Sequence, residues 1–328
     1  MAYQNVGTPR FYVDELSWFR SNGVNITTSQ TSANWHTVSG EMDNIFGLNP
    51  SNGVEIAIDG TAGNDTIYIR NGDFNWKAGY NYFVAVLGHN FKSFNGWYRL
   101  DSYTGNPFSG PHVIQDIIVN GSNHSSSGLE PEYDGFTIAT YISQDTDLWR
   151  FQINPIGASD YNNYEGAEYT GNLKMGSVTM GRYFDMPHSP DLKLTMTREM
   201  DGVKRIRTKG GADLVHHKYY KPSSWGDAGA WELYTGTPPS HTLARSGRRV
   251  WDLSFSYLQD SDTFAPTELQ GGTILDTSPY PVPPYGDVWV DTGSGIYWQS
   301  DQQFLAHDDF YTQVIHKTNG GQLPFIFQ

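Results

Sequence analysis

The side chains whose type and setting favour chemistry in this sequence are tryptophans, and the chemistry is recognition. Trp76, Trp97, Trp225, Trp231 and Trp298 sit among glycines and asparagines, in stretches that read as loops or strand edges. A flat indole in such a setting stacks on a sugar ring or anchors a protein interface. The same side chain also fills cores, and interface or core use is the commoner one. Trp76, Trp97, Trp225 and Trp231 are the candidate glycan or interface aromatics.

Bond-making chemistry finds little support. There is no G-x-S-x-G elbow, no H-E-x-x-H and no Walker A loop. Without cysteine, a thiol nucleophile, a thiolate zinc site and a disulfide framework are all excluded. Acidic residues cluster at Glu130/Glu132/Asp134, Asp145/Asp147 and Asp308/Asp309, which read as solvated turns. A glycosidase would need two carboxylates facing each other across a cleft. His188 and the pair His216-His217 are candidate metal ligands by type. Neighbours on a strand point to opposite faces, so the pair does not chelate from one. Gly60–Ile67 has the pattern of a calcium-binding β-roll repeat, but in a single copy, and such sites need stacked copies. No catalytic residue, metal site or cofactor is expected, and the chain reads as not an enzyme.

The elements that must carry these residues are strands. The chain has 328 residues, with 35 Gly, 10 Trp, 21 Tyr and 17 Phe, and only 17% charged residues. That composition favours sheets and turns over long charged helices. Val54, Ile56 and Ile58 alternate with polar or small residues, as do Ile67 and Ile69. Trp149, Phe151 and Ile153 alternate with Arg150 and Gln152, and Trp251, Leu253, Phe255 and Tyr257 with Asp252, Ser254 and Ser256. Such a period of two puts one face in a core and the other in solvent. Asx-Gly pairs punctuate the strands, among them Asn22-Gly23, Asn52-Gly53, Asn95-Gly96 and Asn120-Gly121.

The fold class expected is all-β: two β-sandwich or jelly-roll domains with a short C-terminal helix. The helix runs from Asp308 through Phe310, Tyr311, Val314 and Ile315 and stops at Thr318–Gly321. The apolar strand Leu323–Phe327 follows. Its position at the end of the chain reads as burial in this chain or a neighbour, or as a protein that continues. Met186-Pro187-His188-Ser189-Pro190 marks a boundary, giving domains 1–186 and 187–328.

A net charge of −14 repels phosphate backbones and anionic bilayers, so neither nucleic acid nor membrane insertion is expected. Basic stretches at Lys204–Arg207, Lys218–Lys221 and Arg245–Arg249 read as solvated faces or subunit contacts. Met1–Arg10 lacks the apolar run of a secretory signal, and the apolar run Tyr82–Leu87 is too short to span a bilayer.

Two stretches carry a family resemblance. Tyr80–Asn90 ends in Leu87-Gly88-His89-Asn90, which resembles a turn of galactose-binding or discoidin-like jelly rolls in tailed-phage tail proteins. Thr66–Arg70, Leu148–Ile153 and Leu173–Gly181 follow the strand order of such domains. The resemblance gives His89 and Asn90 a structural turn role: Asn in a left-handed conformation, His bonding backbone carbonyls. Ser246–Phe255, together with Phe310, Val314 and Leu323–Phe327, is similar to the sandwich of phage distal-tail and baseplate proteins. It implies a structural virion component of the tail tip or baseplate, folded in the host cytoplasm. Its partners would be other copies of itself and other virion proteins. Two alternatives stand beside it: an adhesin for host-surface glycans, and a head decoration or fibre protein.

Overall fold

The computed structural model describes residues 7–30, 35–58, 65–71, 81–103, 113–124, 128–142, 148–157, 168–199, 203–217, 224–226, 228–232, 248–263, 289–291, 296–298 and 309–328. The fold is all-β: strands in several antiparallel sheets, with only short helices. The chain forms two compact units. The larger comprises 19–181 and 196–251; the smaller comprises 1–18, 182–195 and 252–328. Met186–Pro190 lies inside the smaller unit, which three separate stretches of chain assemble. Prolines mark local direction changes, whereas antiparallel pairing joins segments distant in sequence.

In the larger unit, Asn81–His89 and Gly135–Ile142 pair along their whole length, and Ile114–Val119 flanks them. Six consecutive residues of the first strand, Tyr82–Leu87, are buried on both faces, which explains their unbroken apolar run. A second sheet has the order Ile26–Gln30, Asp65–Asn71, Leu148–Pro155, Gly96–Tyr103, Gly128–Glu130, Ser122–His124. Ile67, Ile69, Tyr98, Leu100, Trp149, Phe151 and Ile153 fill one of its faces, all buried. Burying each such side chain contributes about 1.5–3 kcal/mol. The Tyr98 hydroxyl lies near Tyr141 of the first sheet; burial, then Tyr141, pushes its pKa up. The two sheets therefore face each other in a sandwich.

The other face of the second sheet departs from expectation. Gln152 was to face solvent, yet it is buried, as are Arg99, Asp101 and Asn154 on the same face. The alternation predicts the strand correctly and the environment of its polar face incorrectly. A period of two separates side chains by face and says nothing about what covers either face.

In the smaller unit, Arg10–Val13 lies between Phe325–Phe327 and the end of Ser177–Asp185, with Phe11 opposite both Phe327 and Phe184. Phe11, Val13, Phe184, Met186 and Val314 form its core, with Phe255, Leu258 and Phe310 packed against them. The expected C-terminal helix is present over Tyr311–His316, as a π-helix. The expected cap, Asp308, lies outside the described residues; Asp309, one residue before the N-cap Phe310, accepts from the Thr312 N–H at 2.8 Å, and Asn319, Gly320 and Gly321 end the helix with positive φ.

Two further differences concern short elements. The helix Glu15–Ser21 has no counterpart in the sequence reading. Its N-cap, Asp14, accepts from the Ser17 N–H at 3.3 Å, but seven residues give too few turns for a periodic signal. The alternation at Trp251–Tyr257 belongs to no continuous strand. The strand Arg248–Asp252 stops there, and Trp251 and Tyr257 are exposed.

Candidate binding site

The four candidate tryptophans meet different fates. Trp76 lies outside the described residues. Trp97 is a core residue of the Gly96–Tyr103 strand, fully buried, and offers no face to a ligand. Its indole lies over Gly128, where a Cβ would come within 2.3 Å of the ring. The ring stacks on His124 at 4.5 Å, and its Nε1 donates to the Pro155 carbonyl at 3.1 Å. Trp298 has its backbone paired with Trp289.

Trp225 and Trp231 come together on a short hairpin. Ser224–Trp225 pairs with Ala228–Gly229. Gly226, with φ +61°, presses against the start of the Gly135–Ile142 strand, where a Cβ would stand 2.4 Å from that of Asp134. Only glycine fits there. This close approach docks both indoles on Phe136. The ring centroids are 5.7 Å apart for Phe136–Trp225, 5.2 Å for Phe136–Trp231 and 4.9 Å for Trp225–Trp231, every pair edge-to-face. Phe136 and Trp225 are buried; Trp231 is 38% exposed. The arrangement is a three-ring aromatic cluster of which Trp231 is the exposed member.

His89 and Asn90 hold the neighbouring framework. The Phe91 N–H donates to His89 Nδ1 at 3.4 Å, so Nε2 carries the proton and donates to Thr137 Oγ1 at 2.7 Å. The Thr137 hydroxyl in turn donates to the Asn120 carbonyl at 3.2 Å. Burial pushes the His89 pKa down to about 3. Asn90 accepts from the Lys174 N–H at 2.7 Å and donates to the Asn172 carbonyl at 2.9 Å, which ties its strand to 172–174. Asn90 does not take the expected left-handed conformation, which Asn95 and Asn120 adopt with φ of 62° and 56°.

Sequence reasoning missed a polar layer on the outer face of the second sheet. Asp101 accepts from Arg150 Nε at 2.9 Å, and Arg99 Nε lies 3.0 Å from its other oxygen. Arg99 also donates to Gln152 at 2.6 Å. Asn154 is buried, and neither of its amide atoms has a hydrogen-bond partner among the described residues. The only sequence signal was three charges, Arg99, Asp101 and Arg150, and two amides, Gln152 and Asn154, at alternate positions of paired strands. Glu130 contacts His124 at 3.2 Å and Lys92 at 3.6 Å. Asp134, expected in a solvated turn, is buried and accepts from the Ser93 N–H at 2.9 Å; Asp309 is buried likewise.

His216 stands opposite Lys204 and His217 opposite Val203 in the backbone register of one hairpin. Among the described residues no group of three or more His, Asp or Glu side chains is placed to hold a metal ion. Gly60–Asn64, the core of the calcium-like stretch, lies outside them.

That hairpin, Val203–Arg207 with Asp213–His217, is the second notable surface. Lys204–Arg207 and Asp213–His216 are all exposed. One face pairs Ile206 with Leu214; the other pairs Arg205 with Val215 and Arg207 with Asp213. Ile206 and Leu214 remain 62% and 59% exposed. Ten of the 21 Lys and Arg residues, but only five of the 35 Asp and Glu, lie between 196 and 251, so this stretch carries +5 and the rest of the chain −19. No protein-family model matches the sequence, and no curated protein matches it.

Proposed function

We propose that the chain is a structural assembly protein of a tailed-phage virion, in the tail tip or baseplate, that joins copies of itself through the Val203–His217 hairpin. The hairpin carries this reading. A two-stranded ribbon with apolar side chains exposed on both faces is marginally stable alone in water. It gains stability by burying Ile206, Leu214 and Val215 against a neighbour. The neighbour's chemistry follows from charge: a stretch of +5 on a chain that is otherwise −19 complements the remainder of a second copy. Weak contacts of this kind add up in a closed ring or trimer. The short motifs at Leu87–Asn90 and Ser246–Phe255, with their resemblance to phage tail proteins, support the virion setting.

Solution mass as a function of salt tests the assembly. The wild-type chain is expected to form a closed oligomer at low salt, and Arg205→Glu/Arg207→Glu, or Ile206→Ser/Leu214→Ser, to give monomers with an unchanged strand-type circular dichroism spectrum. A wild-type monomer at high protein concentration overturns it. Antibody labelling of purified virions tests the setting, and a chain absent from particles refutes that part. Glycan binding is the second reading, and the half-exposed Trp231 platform favours it.

A further inference from the structure

We infer that Trp231, backed by Trp225 and Phe136, is the stacking face of a binding site for an uncharged pyranose ring of a surface glycan. The inference rests on the glycan-binding reading and is independent of assembly through the hairpin.

The first support is backbone strain. The Glu232 N–H donates to the Gly229 carbonyl at 3.1 Å, closing the turn Gly229-Ala230-Trp231-Glu232. Trp231 occupies its third position with φ +60°. Glycine or asparagine ordinarily takes such a position, because a bulky side chain there is strained by about 1–3 kcal/mol. The chain spends that strain on the largest side chain available and leaves it 38% exposed. A tryptophan kept only for packing would lie deeper.

The second support is an orphaned donor. Trp225, next to Trp231 in the cluster, is 4% exposed, and its Nε1 has no hydrogen-bond partner among the described residues. A buried unsatisfied N–H costs about 1–3 kcal/mol; the atom is shut off from solvent, so a ligand hydroxyl satisfies it only where Trp231 shifts aside on binding.

Ligand class follows from geometry and charge. The three rings meet edge-to-face at centroid distances of 4.9–5.7 Å, which leaves no space between them for a quaternary ammonium. One flat face outside the cluster suits the C–H face of a sugar. The Glu232 side chain folds back over Gly229, its Oε2 3.2 Å from the position of a Cβ there. This carboxylate belongs to the residue next to Trp231, and its charge disfavours acidic sugars.

The test uses the full chain and the methyl glycosides of glucose, galactose and N-acetylglucosamine at millimolar concentration. Trp231 and Trp251 are both accessible, at 38% and 43%, so Trp251 is an internal control. Oxidation by N-bromosuccinimide, read by peptide mass spectrometry, is expected to slow severalfold at Trp231 with at least one glycoside and to stay unchanged at Trp251. Trp231→Gly, which relieves the strain, is expected to melt no lower than wild type and to lose glycoside binding by calorimetry. Equal oxidation of Trp231 with and without every glycoside overturns the inference, as does unchanged glycoside affinity in Trp231→Gly. The oxidation readout needs no variant, so a misfolded substitution does not leave the question open. Failure here leaves the hairpin untouched, and loss of the oligomer in the hairpin variants leaves Trp231 protection in place.

Discussion

Lys317 donates to the Glu15 carboxylate across 302 residues of chain, with both side chains almost completely buried. Gln313 accepts from the same ammonium at 2.8 Å. This contact ties the C-terminal helix to the Glu15–Ser21 helix's first turn within the smaller unit. Breaking a buried pair from one side strands the other charge, which costs about 3–5 kcal/mol. Lys317→Met is expected to destabilise the chain by that amount in denaturant unfolding. Glu15→Leu/Lys317→Met together are expected to recover most of it. Additive losses in the double variant would contradict the pairing.

His89 makes stability fall with acid. Its folded pKa is about 3, below the usual 6.5, because burial disfavours the imidazolium. Between these values the unfolded chain holds a proton that the folded chain refuses. The contribution is fully present above pH 6.5 and is lost as pH falls towards 3, by about 1.4 kcal/mol per pH unit. Denaturant midpoints measured across this range are expected to show that slope, and His89→Gln to flatten it.

Asp14 acts with the opposite sign. Burial raises its folded pKa from 3.8 to about 6. The folded chain then holds the proton longer than the unfolded one, so this contribution is present below pH 3.8 and lost as pH rises through 6. Asparagine caps a helix equally well and does not ionise. Asp14→Asn is expected to gain on wild type by about 1.4 kcal/mol per pH unit between 3.8 and 6, and to hold a constant advantage above that. In this background the His89 slope appears without the opposing one.

Asn120 pins the turn that leads back to Gly135–Ile142. Its side chain accepts from the Glu132 and Tyr133 N–H groups, each at 3.0 Å, and donates to the Tyr133 and Phe136 carbonyls at 2.8 and 3.0 Å. Its backbone has φ +56°. Asn120→Ala loses all four bonds and keeps the strain, at a cost of about 3 kcal/mol. Asn120→Gly loses the bonds but relieves the strain, so it is expected to melt above Asn120→Ala and below wild type. The opposite order would contradict the role of backbone conformation at this turn.

The alternation at Val54–Ile58, Ile67–Ile69 and Trp149–Ile153, with the Asx-Gly pairs at Asn95 and Asn120, was enough to establish an all-β chain. Side-chain direction in a strand and left-handed backbone in a turn are local properties, set by a residue and its immediate neighbours. The C-terminal helix was legible for the same reason, since the Asn319-Gly320-Gly321 stop lies within a few residues of it, although the side chain bonded to its first turn is Asp309 and not the expected Asp308.

What covers each face of a strand is decided at a distance. Trp97 and Trp231 have similar glycine-rich surroundings in sequence, yet Trp97 is closed in by Gly128 and His124 while Trp231 keeps an open face. Gln152 and Asn154 alternate with apolar residues as solvent-facing side chains do, and tertiary packing buries them beside Arg99. The Phe136–Trp225–Trp231 platform joins residues about 90 apart, because Gly226 has no Cβ to keep the hairpin off Asp134. Burial depends on which surfaces meet, and no spacing along the chain records that.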